Sequence, residues 1–313
     1  MSLRWRRMLY LVGLALGLLL FLQQIWYGYQ AIRSNTLHLA APLLLVAAWG
    51  VVAIAIGLQM AAWAVLMRVL DIPLSWQTVV ASYTLSFLPR YIPGSIWGYI
   101  SRGEWLRQQH QVPYAVSSFG SVLEVFVALL TGVVVLAIHY ASKLMGAPSI
   151  ILLVGIVVAL WLIWKTLHWV PRQGWLKRLG GSPFGISLLN WLTVLFVYML
   201  LWLCYGLMVM FVSQAFGFTG NLDLLESTFM FSLSWLTGFI VVFVPSGLGV
   251  REIALSTLLA TRTGLNYEHA SLISIMLRFC VLLAEASWAI CGFLMTRLSG
   301  RRMMRPDNED NPN

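Results

Sequence analysis

Residues 229–256 read FMFSLSWLTGFIVVFVPSGLGVREIALS, an apolar run cut once by Pro245-Ser246-Gly247-Leu248-Gly249 and resumed through Val250-Arg251-Glu252. Proline removes a backbone donor and glycine accepts positive φ, so a helix entering this stretch breaks at Pro245 and restarts just beyond Gly249. No charged residue occurs between 229 and 244, so the break follows sequence suited to hydrocarbon rather than to water. Irregular backbone at that depth is tolerated where it is buried in protein or lines a cavity.

The rest of the chain supports the same environment. Of 313 residues, 60% are hydrophobic and 10% charged, against about 25% charged in soluble domains. Six stretches approach or exceed the ~20 helical residues that cross a ~30 Å hydrocarbon core: 8–27, 40–66, 114–139, 150–164, 186–212 and 270–295. They do not alternate polar with apolar residues, so they read as helices and not as barrel strands. Arg4, Arg6 and Arg7 precede the first stretch as in a secretory signal, but no small-residue cleavage site follows Leu20. That stretch therefore reads as a retained helix. The expected fold is an all-α, polytopic transmembrane helical bundle, one domain over 1–305 with a disordered polar tail at 306–313.

Regions 76–111 and 225–268 are apolar but interrupted, and they resemble each other. The first carries Pro93-Gly94-Ser95-Ile96-Trp97-Gly98 followed by Arg102 and Glu104, matching the Pro245 element followed by Arg251 and Glu252. Each precedes a long apolar stretch with a buried charge, Glu124 in one and Arg278 in the other. We therefore expect two repeats, about 76–139 and about 225–295, each built on a Pro-Gly-interrupted re-entrant hairpin. Either a hairpin or a pair of short spans returns the chain to its starting side, so both termini share one face. Most of the 20 Lys and Arg residues, Arg102 among them, then fall on that face. The positive-inside rule makes it cytoplasmic, and the repeats become inverted, as in transporters whose sites lie at the repeat interface.

The net charge of +9 follows from this topology and gives no soluble basic stripe for nucleic acid. Cys204, Cys280 and Cys291 lie in apolar runs and read as small core side chains, while the five histidines are dispersed. No Walker loop, metal-ligand spacing or nucleophile elbow is present, so no cofactor, no metal and no enzymatic activity are expected.

Glu124, Arg278 and Glu285 lie within apolar spans, where a central charge costs about 2.5–3.5 kcal/mol on insertion scales. They must be partnered or wet. Glu124 and Arg278 occupy equivalent repeat positions, and we expect them to pair across the repeat interface as a gate, with Glu285 two turns from Arg278 on the same face. Arg90, beside Pro93 and Gly94, and Arg251, beside Pro245, Gly247, Gly249 and Glu252, are the expected headgroup contacts. The restarted helix N-termini would add backbone donors for an anion.

With those residues in view, the chain resembles the transmembrane region of the lysylphosphatidylglycerol synthase family over roughly 40–295. The resemblance is most specific at Pro245 to Glu252 and is supported by Pro93-Gly94 and Glu124. Ser246 stands where the family often has glycine, and Val125 follows Glu124 where arginine is common. The resemblance implies a stand-alone, flippase-like membrane domain in a bacterial or archaeal cell membrane, without the soluble aminoacyl-transferase domain. Its implied partner is a phospholipid or polyprenyl-linked lipid with a polar or anionic headgroup, moved between leaflets. Rival readings are an accessory membrane subunit of a lipid or lipid-linked glycan pathway, a polyprenyl transferase using Glu104 and Glu252, and an ion-coupled solute carrier. A second copy of the chain or a pathway enzyme would be the protein partner.

Overall fold

The computed structural model describes residues 3–34, 39–92, 97–144, 146–169, 187–218, 222–241 and 244–303, and among these it contains helices and no strand. Six helices are long and apolar enough to cross a membrane: α1 (Leu3–Arg33), α2 (Leu43–Val69), α5 (Tyr114–Lys143), α6 (Ala147–Trp169), α7 (Leu188–Ala215) and α10 (Tyr267–Met303). They match the six expected spans, with ends displaced by a few residues. Pro93, Gly94 and the tail 306–313 lie outside the described residues.

The two interrupted regions form helix–break–helix units. The first runs through α3 (Trp76–Thr84), a 3₁₀ turn at Pro89–Tyr91 and α4 (Trp97–His110). The second runs through α8 (Leu224–Ile240), a 3₁₀ turn at Pro245–Gly247 and α9 (Val250–Thr263). At about 1.5 Å per residue, the 17 residues of α8 reach about 25 Å. That is short of a hydrocarbon core, and the other three helices are shorter. The two 3₁₀ turns lie against one another, bringing both breaks to one place in the bundle.

Local sequence explains these breaks. Ser75 accepts from Thr78 N at 3.2 Å and Asp223 accepts from Glu226 N at 2.7 Å, so side chains cap the first helix of each unit. At the second break Ser246, Gly247 and Gly249 have φ of 51°, 65° and 80°. α8 has already ended at Ile240, and these positive-φ residues re-aim the chain into α9; of the three only Ser246 adopts that conformation against the preference of an L side chain.

The core lies between α2, α7 and the two units, with Trp63, Trp191, Tyr198 and Phe229 fully buried. In lipid, helix association depends on close packing, so small residues matter where backbones meet. A Cβ at Gly206 would stand 3.0 Å from Thr228 Cα, which joins α7 to α8. A Cβ at Gly249 would stand 2.8 Å from Gly17 O, so α1 buttresses the second break. No residue in the apolar stretch of α6 is buried, placing that helix outermost against α5.

Helices α5 and α8 run antiparallel and part company. At one end the His139 ring stacks on Phe229 with centroids 4.0 Å apart. There Glu226 binds Arg262 at 3.0 Å, His139 at 3.6 Å and Lys143 at 3.8 Å, tying α5, α8 and α9 together. Gly132 beside Leu236 lies two turns along. Because α8 ends at Ile240, the N-terminal half of α5 has no α8 opposite it.

Candidate functional site: a charged cavity between the two broken-helix units

Each unit holds a buried ion pair between its second short helix and the long helix that follows. In the first, Arg102 of α4 meets Glu124 of α5 at 2.6 Å, with side chains 1% and 3% exposed. Arg102 also donates to Ser121 Oγ at 2.7 Å, and its guanidinium lies over Trp63 at 4.3 Å and Tyr83 at 4.7 Å. The Tyr83 hydroxyl donates to Glu124, and Gln59 Nε2 donates to the same carboxylate at 3.4 Å. A charge pair out of water is stable only when its remaining polar valences are met, and these neighbours meet most of them.

In the second unit the signs are exchanged. Glu252 of α9 supplies the acid and Arg278 of α10 the base, 3.5 Å apart. Glu252 also accepts from Gly249 N at 2.6 Å, so the restarted helix carries its own carboxylate at its N-terminus. The dipole end expected to face a bound anion is thereby occupied. A third pair crosses between the units: Arg90 of the first turn binds Glu285 of α10 at 3.1 Å, and the Tyr91 hydroxyl donates to the other Glu285 oxygen at 3.1 Å. Arg278 lies over the Tyr91 ring at 5.4 Å, which connects the crossing pair to the second unit.

These contacts correct two expectations. Glu124 and Arg278 do not pair, because Arg102 and Glu252, on the short helices, reach them first. Arg102, counted among the basic residues on the cytoplasmic face, is among the most buried side chains of the protein. Glu285 likewise binds Arg90 and Tyr91, not Arg278, although it shares α10 with that residue.

The three pairs border a cavity of about 660 Å³ between the units, walled by Arg90, Arg102, Arg251, Arg278, Glu252 and Glu285. Pro245 is buried at its edge, and Gly247 lines it. Gly249 stands behind, against α1. Among the described residues Arg251 has no carboxylate within ion-pair distance, and its Nε has no hydrogen-bond partner. Its guanidinium lies over Trp235 at 5.1 Å. The side chain is threaded past two glycines: a Cβ at Gly238 would overlap Arg251 Cγ, and one at Gly247 would stand 2.9 Å from Nε. Glycine at both positions leaves Arg251 its path to the cavity.

Val122 and Phe126, on the part of α5 that α8 leaves uncovered, line the cavity while remaining 63% and 38% exposed. Helix α5 is therefore left open to the cavity's side at these two residues, and protein covers the cavity least there. Tyr99, Phe239 and Val241 complete the apolar rim. Charge inside and an apolar opening suit a molecule with a polar end and a greasy end.

Sequence reasoning missed Arg102, Tyr83, Tyr91, Trp235 and Gly238. Arg102 carried a usable signal, since it follows Pro93 as Arg251 follows Pro245. The tyrosines and Gly238 carried none, being unremarkable members of apolar helices. Glu104, considered as a catalytic carboxylate, is at the surface in a pair with Arg107 at 2.6 Å. Among the described residues no group of three or more His, Cys, Asp or Glu side chains could hold a metal ion.

Comparison with known proteins bears on the whole bundle. A family model described as the lysylphosphatidylglycerol synthase TM region matches residues 8–285. No curated protein and no solved structure matches the chain.

Proposed function

The chain belongs to the lysylphosphatidylglycerol synthase transmembrane-region family and is a multi-pass membrane protein in a lipid setting, and from that premise we propose that it moves a lipid with a polar or anionic headgroup between leaflets. The observation that carries the proposal is Arg251, a guanidinium with no carboxylate within ion-pair distance among the described residues, on the wall of a cavity that leaves Val122 and Phe126 exposed; on this reading that side opens to lipid. A headgroup occupies the cavity while its chains stay in hydrocarbon outside the rim. The cost of the step lies in carrying polar groups through oil, and fixed charges with few solvent contacts lower it.

The two broken-helix units act as re-entrant hairpins of opposite orientation whose tips meet at mid-depth. The buried pairs Arg102–Glu124 and Arg278–Glu252 hold each unit together. The crossing pair Arg90–Glu285 is the gate, because Arg90 remains 30% exposed and a partly wet pair opens at least cost. Rocking one unit against the other would then break and remake it, exposing the cavity to each side in turn. By the positive-inside rule this reading puts both termini in the cytoplasm, takes the membrane to be that of a bacterial or archaeal cell, and has the substrate leave chemically unchanged.

Purified protein in liposomes, with a headgroup-labelled fluorescent lipid and a membrane-impermeant quencher, tests the reading. Label should become accessible from the inner leaflet faster than in protein-free liposomes, and Arg251→Ala should remove most of the gain. Equal rates for wild type and protein-free liposomes would leave an accessory subunit instead.

A further inference from the structure

We infer that the cavity selects a headgroup bearing one net negative charge on a phosphodiester, over zwitterionic headgroups and over phosphomonoesters. This rests on the translocator reading of the same cavity and adds the chemical class of its cargo.

The balance of charge carries the argument. Four guanidinium groups line the cavity, Arg90, Arg102, Arg251 and Arg278, against three carboxylates, Glu252 and Glu285 on its wall and Glu124 bound behind Arg102. Each carboxylate is committed to one arginine, at 2.6, 3.1 or 3.5 Å, and the remaining positive charge belongs to Arg251. Among the described residues no lysine or histidine lines the cavity. A site with few solvent contacts is most stable when its contents sum to zero, because an uncompensated charge there loses hydration that nothing returns. One phosphodiester brings the sum to zero.

A phosphomonoester carrying close to two negative charges would leave an excess anion, removable only by breaking one of the buried pairs. A zwitterionic headgroup satisfies Arg251 with its phosphate but brings an ammonium group, and every cavity carboxylate already holds an arginine. Aromatic faces are the other home for an ammonium ion, yet those beside Arg251 are taken. Arg251 lies over Trp235, whose ring also stacks on Phe239 at 5.4 Å, and Tyr205 stacks on Phe231 at 4.5 Å. Arg251 suits the phosphodiester geometrically as well, since a planar guanidinium presents paired donors to two phosphate oxygens.

A phosphodiester of this charge occurs both in glycerophospholipids and in polyprenyl lipids joined to a sugar through one phosphate. The test separates them. Wild-type, Arg251→Gln and Arg251→Lys proteins are reconstituted with labelled phosphatidylglycerol, a polyprenyl-phosphate-linked hexose, phosphatidylcholine or phosphatidic acid. Translocation is followed by quencher access, and lipid retained by the detergent-purified protein is measured by native mass spectrometry. Wild type should prefer at least one phosphodiester monoanion over phosphatidylcholine and phosphatidic acid by about tenfold or more in retention, the scale of one lost charge-assisted contact. Which of the two monoanions leads identifies the source. Arg251→Gln should lose the preference and Arg251→Lys should keep it. Retention of phosphatidylcholine or phosphatidic acid within twofold of both monoanions overturns the inference, as does an undiminished preference in Arg251→Gln. Selective retention with no translocation would uphold the inference and overturn only the translocator reading.

Discussion

Glu124→Ala should be among the most damaging single substitutions in this protein, and its cost can be worked from the contacts it removes. The carboxylate sits 2.6 Å from Arg102, accepts from Tyr83 and Gln59, and both charged side chains are nearly inaccessible. Removing one partner of such a pair leaves a buried charge uncompensated, which costs about 3–5 kcal/mol. Ser121 at 2.7 Å and the faces of Trp63 and Tyr83 remain to Arg102 and hold the loss near the middle of that range. The double variant Arg102→Met with Glu124→Leu removes both charges and should recover most of the loss, because an apolar pair of similar volume fits a low-dielectric site. Equilibrium unfolding in mixed micelles measures both variants, and the single variants Arg102→Met and Glu124→Leu, measured with their double, close a thermodynamic cycle. A loss below about 1 kcal/mol for Glu124→Ala, or additive single effects, would refute the reasoning, since residues sharing one network should couple by about 0.5–3 kcal/mol.

Three further predictions follow from the second unit and the far end of the bundle. Gly238→Ala places a methyl group on Arg251 Cγ and should abolish translocation as fully as Arg251→Ala while leaving helix content unchanged by circular dichroism. Ser246 holds φ of 51° and ψ of 20°, a left-handed conformation costing an L residue about 1–2 kcal/mol; Ser246→Gly should leave the unfolding midpoint unchanged or raise it, and Ser246→Val should lower it. Glu226 gathers Arg262, His139 and Lys143 from neighbouring helices, so Glu226→Gln should raise amide hydrogen exchange at the start of α8 and the end of α9 while the central cavity keeps its lipid preference.

What could be read in advance divides along a physical line. The six spans were legible because a membrane helix needs its apolar residues in one unbroken length, and no tertiary information enters that requirement. The second break was legible at Pro245-Ser246-Gly247-Leu248-Gly249, since proline and glycine act on the local backbone alone; the first was expected at Pro93-Gly94, which lie outside the described residues, and α3 already ends at Thr84. The partners of the buried charges were not legible. Glu124 could have met Arg278 by repeat symmetry, and only the packing of α4 beneath α5 shows that Arg102 stands in the way. Arg102 was hidden by its neighbours: residues 101–111 are mostly polar, so its charge counted toward the cytoplasmic face and not toward the membrane interior. Gly238 was hidden for the opposite reason, because in an apolar helix a single glycine carries no local sign that an arginine from another helix passes over it.

The central claim is that a lipid headgroup sits against Arg251 in the space between the two breaks. A high-resolution cryo-electron microscopy map of the protein in nanodiscs containing phosphatidylglycerol tests it most directly. The account predicts headgroup density in contact with the Arg251 guanidinium, with a tail leaving between Val122 and Phe239 into the bilayer. A cavity holding only water, with Arg251 turned away to bulk solvent or bound by a carboxylate of the protein itself, would contradict it.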